Sequence, residues 1–456
     1  MEQKAQQFER SLKLKHLVFI GLAYMAPFAV FDTFGIVSQT TKGHVPAAYI
    51  LVTIAVLFTA FSYGKMVKQF PQAGSAYTYT RQTMHPGLGF LVGWASLLDY
   101  IFMPMINALL ANVYLSTGFP NVPRWVWIVG LILLITIMNI AGVKIAVSAN
   151  MLMVLFQLIV AIAFIVLTIR AIVEGGTGHF SYQPVISDHM SWSAVIAGSS
   201  ILALSFLGFD AVTTLSEEVV EPKKNVPRGI LLISLFGGLF FIIVTFFMQC
   251  LIPNVSVLKN ISGASPEIAK LIGGTLFQAI FLAGAFVSVT ASGLAAQTSA
   301  SRLLYAMGRD GVLPKKLFSY VHPKFKTPVF NVVILGVIAL TALLLNLKTA
   351  TSFINFGAFT AFSFVNLSVI AFYFKQKKPH TLGSIIEYII IPLIGLAVNV
   401  YLWFHLDRDA MILGLSWIAA GFVYLLYLTK CFTKEPPEFH FDESEALAAE
   451  PESMSG

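Results

Sequence analysis

Three aspartates, Asp32, Asp99 and Asp210, each sit near the middle of a long apolar run that no lysine or arginine interrupts. A carboxylate at the centre of a membrane helix costs roughly 2.5–3.5 kcal/mol on insertion scales, so three of one sign point to a role other than stability. They call for a positive partner that the apolar runs do not contain. The chemistry that fits is the passage of a cationic solute through a membrane.

The elements that must hold these acids are apolar helices. Hydrophobic residues make up 57% of the 456 and charged residues 11%, against about 25% charged in a soluble domain. Twelve stretches lie near or above the roughly 20 residues that cross a bilayer: 17–39, 46–63, 88–116, 125–143, 145–169, 192–216, 230–252, 271–301, 328–346, 349–374, 388–404 and 411–429. The expectation is an all-α integral membrane protein with twelve transmembrane helices. Of the 29 Lys and Arg, 22 fall in the tails and even-numbered loops and 7 in the odd-numbered loops. By the positive-inside rule both termini are expected in the cytoplasm. The net charge of +7 is then loop charge beside the lipid bilayer and gives a nucleic-acid partner no support.

No cleavable signal is evident, because the first apolar run is long and is followed at once by another. Cys250 and Cys431 fall on opposite sides of the expected topology and do not read as a disulfide. Residues 1–16 read as an N-terminal tail, and 431–456, rich in carboxylates, as a disordered acidic tail.

Two runs look interrupted. In the first, Gly21 and Pro27 flank Tyr24-Met25-Ala26, and a mid-helix proline removes a backbone bond and clashes with the preceding turn. In the sixth, Gly198-Ser199-Ser200 and then Ser205-Phe206-Leu207-Gly208 dilute the helix formers at similar depth. Each carries a Phe-Asp pair beyond its break, Phe31-Asp32 and Phe209-Asp210. Paired interruptions of this kind mark binding sites in transporters built from inverted repeats, although a proline kink and a glycine contact are the plainer reading. The substrate site is therefore expected at Tyr24, Ala26, Phe28 and Asp32 on one break and at Phe206, Gly208, Phe209 and Asp210 on the other, with Asp99 and Tyr100 from the third run. An aromatic face against a desolvated ammonium gains up to about 2 kcal/mol.

Phe206-Leu-Gly-Phe-Asp210 with Ser216-Glu217-Glu218 and Pro222 to Arg228, Pro71 to Tyr77, and Ser301 to Asp310 together resemble the signatures of the amino acid–polyamine–organocation superfamily. The resemblance covers nearly all of 10–430 and implies a LeuT-type fold. Helices 1–5 (17–174) and 6–10 (192–374) would be inverted repeats, with two helices (384–430) appended. Gly21 to Pro27, Phe31 to Ser38, Gly43 to Pro46, Ser96 to Tyr100 and Pro104 to Asn107 further resemble the bacterial putrescine importers of that superfamily. The resemblance implies a secondary carrier in the inner membrane of a bacterium, importing a small diamine by alternating access with protons as the driving ion. The alternative is an amino-acid carrier or exchanger, and a cation channel is more remote.

Two departures from amino-acid-carrying relatives bear on substrate. Their glycine-rich first break, which holds a carboxylate on backbone N–H groups, corresponds to Pro27-Phe28-Ala29 here, and proline has no N–H to donate. A helix 5 lysine found in some proton-coupled relatives corresponds to Gln157, which cannot titrate. Asp99 and Asp210 are then the candidates for proton coupling, and proton and substrate can compete for one carboxylate. Glu217 and Glu218 read as a gate or helix cap near Arg228. No cofactor or metal is expected, and no enzyme: the nine histidines fall in loops, tails or helix ends, and no metalloprotease or nucleophile-elbow motif occurs.

Overall fold

The computed structural model describes residues 10–433 apart from 119–120, 176–177, 259–260, 262–263, 346, 377–380, 405 and 407; most of the acidic tail lies outside the described residues. Every regular element among them is helical. The first six are α1 (Leu14–Met25), α2 (Ala29–Thr41), α3 (Val45–Gln69), α4 (Ser75–Thr83), α5 (Pro86–Gly118) and α6 (Arg124–Ile140). Next come α7 (Val143–Val173), α8 (Trp192–Leu202), two 3-10 segments (Ala203–Phe206 and Ala211–Glu218), α9 (Pro222–Leu251) and α10 (Ala264–Arg309). The chain closes with α11 (Lys315–Phe318), α12 (Val329–Ala339), α13 (Leu347–Lys375), α14 (Leu382–Ile385), α15 (Ile391–Phe404) and α16 (Arg408–Leu428).

Among the described residues nine helical segments are long and apolar enough to cross a bilayer, and ten if α1 and α2 count as one bent span. The expected segments at 125–143 and 328–346 are shorter helices, Arg124–Ile140 and Val329–Leu343. At 1.5 Å per residue, 17 residues reach about 26 Å, somewhat less than the hydrocarbon core. The 46 residues of α10 would be far too long for one crossing, and Gly274, at φ +69°, splits them where a side chain would be strained. Inside the bundle α3 runs along α9, and α5 lies between α13 and α10.

Both expected breaks form, with one change of position. α1 and α2 meet at 44°, joined by Ala26 at φ +52°, Pro27 and Phe28. A non-glycine residue there costs on the order of 1–3 kcal/mol and persists only where packing enforces it. The freed carbonyl of Tyr24 accepts from Ser292 Oγ of α10 at 2.9 Å, and Ser292 in turn accepts from Asn107 Nδ2 of α5 at 3.1 Å. In the sixth span the interruption lies at 203–210 only. Gly198-Ser199-Ser200, expected to weaken the helix, stays inside α8, because Gly198 serves as a contact: a Cβ there would meet Thr41 Cγ2 at 2.3 Å. The Ser199 hydroxyl donates back to Val195 O at 2.8 Å and lies 3.0 Å from Ala48 O of α3.

At the end of the bundle that holds residue 10, the three superfamily-like motifs join in one network. Glu218 pairs with Arg302 of α10 at 2.8 Å, both essentially fully buried. Glu217 accepts from Arg309 and from Ala73 N (3.1 Å), and Arg309 also contacts Asp310. Asp310 accepts from Tyr77 of α4 at 2.7 Å, whose hydroxyl accepts from Arg81. The glutamates were expected near Arg228, and the charges that pair with them are others. Arg228 lies exposed on α9, while α10 brings Arg302 and Arg309 to the 3-10 segment. The start of the described chain joins in: Ser11 and Leu12 donate to Glu218 O, and Val220 donates back to Leu12 O.

A buried pair is destabilised by about 3–5 kcal/mol when one member is removed, because the other charge is stranded. Arg302→Ala should therefore lower the unfolding midpoint of purified protein sharply. Lys224→Ala, which breaks the exposed Lys224–Glu221 pair, should leave it nearly unchanged. Equal melting of the two variants would refute this ranking.

Candidate functional site

The 207–210 turn brings Asp210 against α1, α3 and α5. Gly208, at φ +99°, lies so close to Tyr24 that a Cβ would fall 1.9 Å from its ring, so glycine is required for both conformation and space. Asp210 follows as the N-cap of the 211–218 segment. Its Oδ2 accepts two phenolic hydroxyls, Tyr100 of α5 at 2.9 Å and Tyr63 of α3 at 3.1 Å. Asp99 precedes Tyr100, and Gly357 of α13 lies against its backbone, where a Cβ would stand 3.0 Å from Asp99 N. Tyr24 meets Tyr100 edge to face at 6.3 Å.

Among the described residues, Asp99 Oδ1, Asp210 Oδ1 and the Tyr24 hydroxyl are buried without a hydrogen-bond partner. Both aspartates are only 2% exposed, and no lysine or arginine pairs with either among the described residues. An isolated ionised carboxylate in an apolar interior is costly enough that it must be protonated or matched by a cation. Asp99 and Asp210 are close enough for their charges to act on each other and on Tyr24. What the arrangement can do is receive a donor-rich cation between acceptors, beside the faces and edges of two tyrosine rings.

Of the residues singled out in the sequence, Tyr24, Asp99, Tyr100, Gly208 and Asp210 converge. Ala26 forms the bend below Tyr24. The others face different ways. Phe28 packs on Phe31 (4.9 Å), on Phe281 (5.2 Å) and against Gly284. Phe206 turns to Tyr49 and Phe241, and Phe209 sits behind Tyr63, against its ring and that of Phe362. Asp32 stands apart, half-buried in the first turn of α2, where it accepts a hydrogen bond from Tyr114 of α5. Phe28 and Phe31, with Phe164 and Phe281, form a continuous aromatic cluster near it.

At the first break part of the backbone N–H set is already used. Ala26 N–H bonds to Ala23 O, Ala29 N–H bonds to Ala26 O at 2.8 Å, and Pro27 has none. Gln157 of α7 is fully buried, with neither amide atom bonded among the described residues.

Tyr63, Tyr114, Ser292 and Asn107 are the functional neighbours that sequence reasoning left out of the site. Tyr63 and Tyr114 each share an apolar run with another tyrosine, Tyr49 and Tyr100, and nothing local marks which ring will meet a carboxylate. Asn107 lies in a block that drew attention, but its link to the α1 break passes through Ser292 on a helix far away in the chain.

The amino acid permease family profile matches residues 16–427. The low-affinity putrescine importer PlaP of Escherichia coli K12 is 43% identical over 95% of this chain and 96% of its own length. The methylthioribose transporter of Bacillus subtilis is 29% identical over 94% of this chain and 95% of its own. The branched-chain amino acid permease BcaP of the same species is 25% identical over 93% and 94%. With a match that runs through every helix described above, the chain belongs to the amino acid permease family.

Proposed function

We propose that the protein is a secondary active transporter that imports putrescine or a similar small diamine by alternating access, with the proton gradient as driving force. The observation that carries this reading is the pair of buried, unpartnered carboxylate oxygens, Asp99 Oδ1 and Asp210 Oδ1, beside the free Tyr24 hydroxyl. One ammonium group binds Asp210, and the Tyr24 and Tyr100 rings line the adjoining methylenes. Asp32, a carboxylate outside this group, is the counter-ion for the second ammonium. The resemblance to a putrescine importer along 95% of the chain supports the substrate class.

The chain works as two inverted five-helix repeats, 17–174 and 192–374, rocking against each other, with 384–430 appended. Both termini lie in the cytoplasm, and the membrane is the inner membrane of a bacterium. The 22-to-7 division of Lys and Arg supports that orientation. The network around Glu217 and Glu218 is then a cytoplasmic gate. Nothing in the arrangement calls for catalysis, and transport is the whole activity.

Asp210→Asn should abolish diamine binding and uptake in liposomes while the protein inserts at normal abundance, because volume is kept and the ammonium loses its counter-ion. Uptake near the wild-type rate by well-inserted Asp210→Asn would remove Asp210 from the site.

Asp32→Asn should reduce uptake of putrescine more than uptake of butylamine, which lacks the second ammonium. The ratio of the two should fall by about tenfold, equivalent to about 1.4 kcal/mol. An unchanged ratio would detach Asp32 from the far end of the substrate.

Ornithine differs from putrescine only in its carboxylate, and at the first break Pro27 has no N–H while those of Ala26 and Ala29 are already bonded. Carboxylate beside buried carboxylate costs several kcal/mol. Putrescine should therefore be preferred by at least about a hundredfold in competition uptake, since about 1.4 kcal/mol is already tenfold. Comparable transport of both would favour the amino-acid carrier reading.

A further inference from the structure

We propose that the two central carboxylates divide the work, Asp210 receiving the amine as a carboxylate and Asp99 carrying the transported proton. The inference rests on the diamine-carrier reading and assigns roles within that same site. It follows from where the hydrogen-bond donors are. Asp210 Oδ2 is held by two phenolic O–H groups, from Tyr63 at 3.1 Å and Tyr100 at 2.9 Å. Two donors on one oxygen favour the anion and leave no room for a proton there. The other oxygen, Oδ1, is the unpartnered one. A proton and an ammonium would have to share that single atom, so Asp210 cannot hold both at once.

This constraint decides the direction of coupling. A carboxylate for which proton and amine compete makes a carrier that exchanges one for the other, and an inward proton gradient would then drive the amine out. Import on an inward gradient needs a second acid that keeps its proton while the amine is bound. Asp99 fits that description. Among the described residues no donor reaches its Oδ1, and it is 2% exposed. Pairs of carboxyl groups in such unequal surroundings take up different protonation states.

The titratable groups around the pair are few. Tyr24 faces both aspartates from α1, Tyr63 and Tyr79 face Asp210 from α3 and α4, and Tyr100 adjoins Asp99 on α5. From α13 comes Gly357, without a side chain. Asp99 takes its proton from the side at which the amine enters and releases it on the other, with the carboxylate regenerated for the next cycle.

The test uses purified protein in liposomes, with labelled putrescine outside and a pH dye inside. Wild type should acidify the lumen as amine enters. In Asp99→Asn, which resembles a permanently protonated acid, amine-for-amine exchange should persist at a reduced rate while acidification per amine falls to background. Net uptake should also stop responding to an imposed pH gradient. Asp99→Glu, which restores a titratable carboxyl, should recover part of the acidification. Asp210→Asn should lose exchange and acidification together. Gradient-driven, proton-linked uptake by Asp99→Asn would overturn the assignment, as would its loss of exchange in step with acidification while Asp99→Glu recovers neither. Wild type that moves putrescine without any proton would overturn it while leaving the diamine reading intact. Wild type that moves no amine would sink the reading on which it rests.

Discussion

Two carboxylates buried side by side, each with one oxygen unmet, set the terms for everything packed around them. In hydrocarbon surroundings such groups are tolerated only where protein or solute can neutralise them. The bundle therefore spends hydroxyls on Asp210 from two helices, α3 and α5, and brings α13 in at Gly357 so that α5 can carry Asp99 in the interior. Placing Asp210 there requires the helix to stop. A turn at 207–210 cannot exist in lipid, and it is possible here because the main-chain groups are met locally and by the surrounding helices.

The first break is built to the same end by different means. Ala26 sits at a backbone angle that costs energy, and the carbonyl it frees is taken by Ser292, itself held by Asn107. The chain of three residues links α1, α10 and α5 at the level of Tyr24. Tyr24 in turn fills the space that Gly208 leaves open, so the two breaks fit together as one contact.

Much of this was legible in the sequence, for a physical reason. Apolar length and the positions of proline and glycine decide where spans run, and the helices follow the expected segments in order. The central acids were also visible, because a charge in an apolar run has no bland explanation. What could not be read was which way a side chain faces. Phe28 and Phe206 lie at the breaks yet turn into aromatic packing, while Tyr63, in an unmarked stretch, reaches Asp210. Gly198 to Ser200 looked like a weak point because serine and glycine disfavour helices in water; between membrane helices the same residues allow close approach. Arg228 was the nearer partner of the glutamates along the chain, and Arg302 is the nearer one in space, since the ends of α10 and the 211–218 segment meet.

The bridge between Leu12 and Val219 ties the start of the described chain to the residue after Glu218. Arg10, two positions earlier, is exposed. Anything attached there sits two residues from Leu12, which is 2% exposed and bonded through its N–H to Glu218 O, beside the buried Glu218–Arg302 pair. A fluorophore or spin label at that position would report, from an exposed site, on the surroundings of a buried ion pair that carries no accessible position of its own.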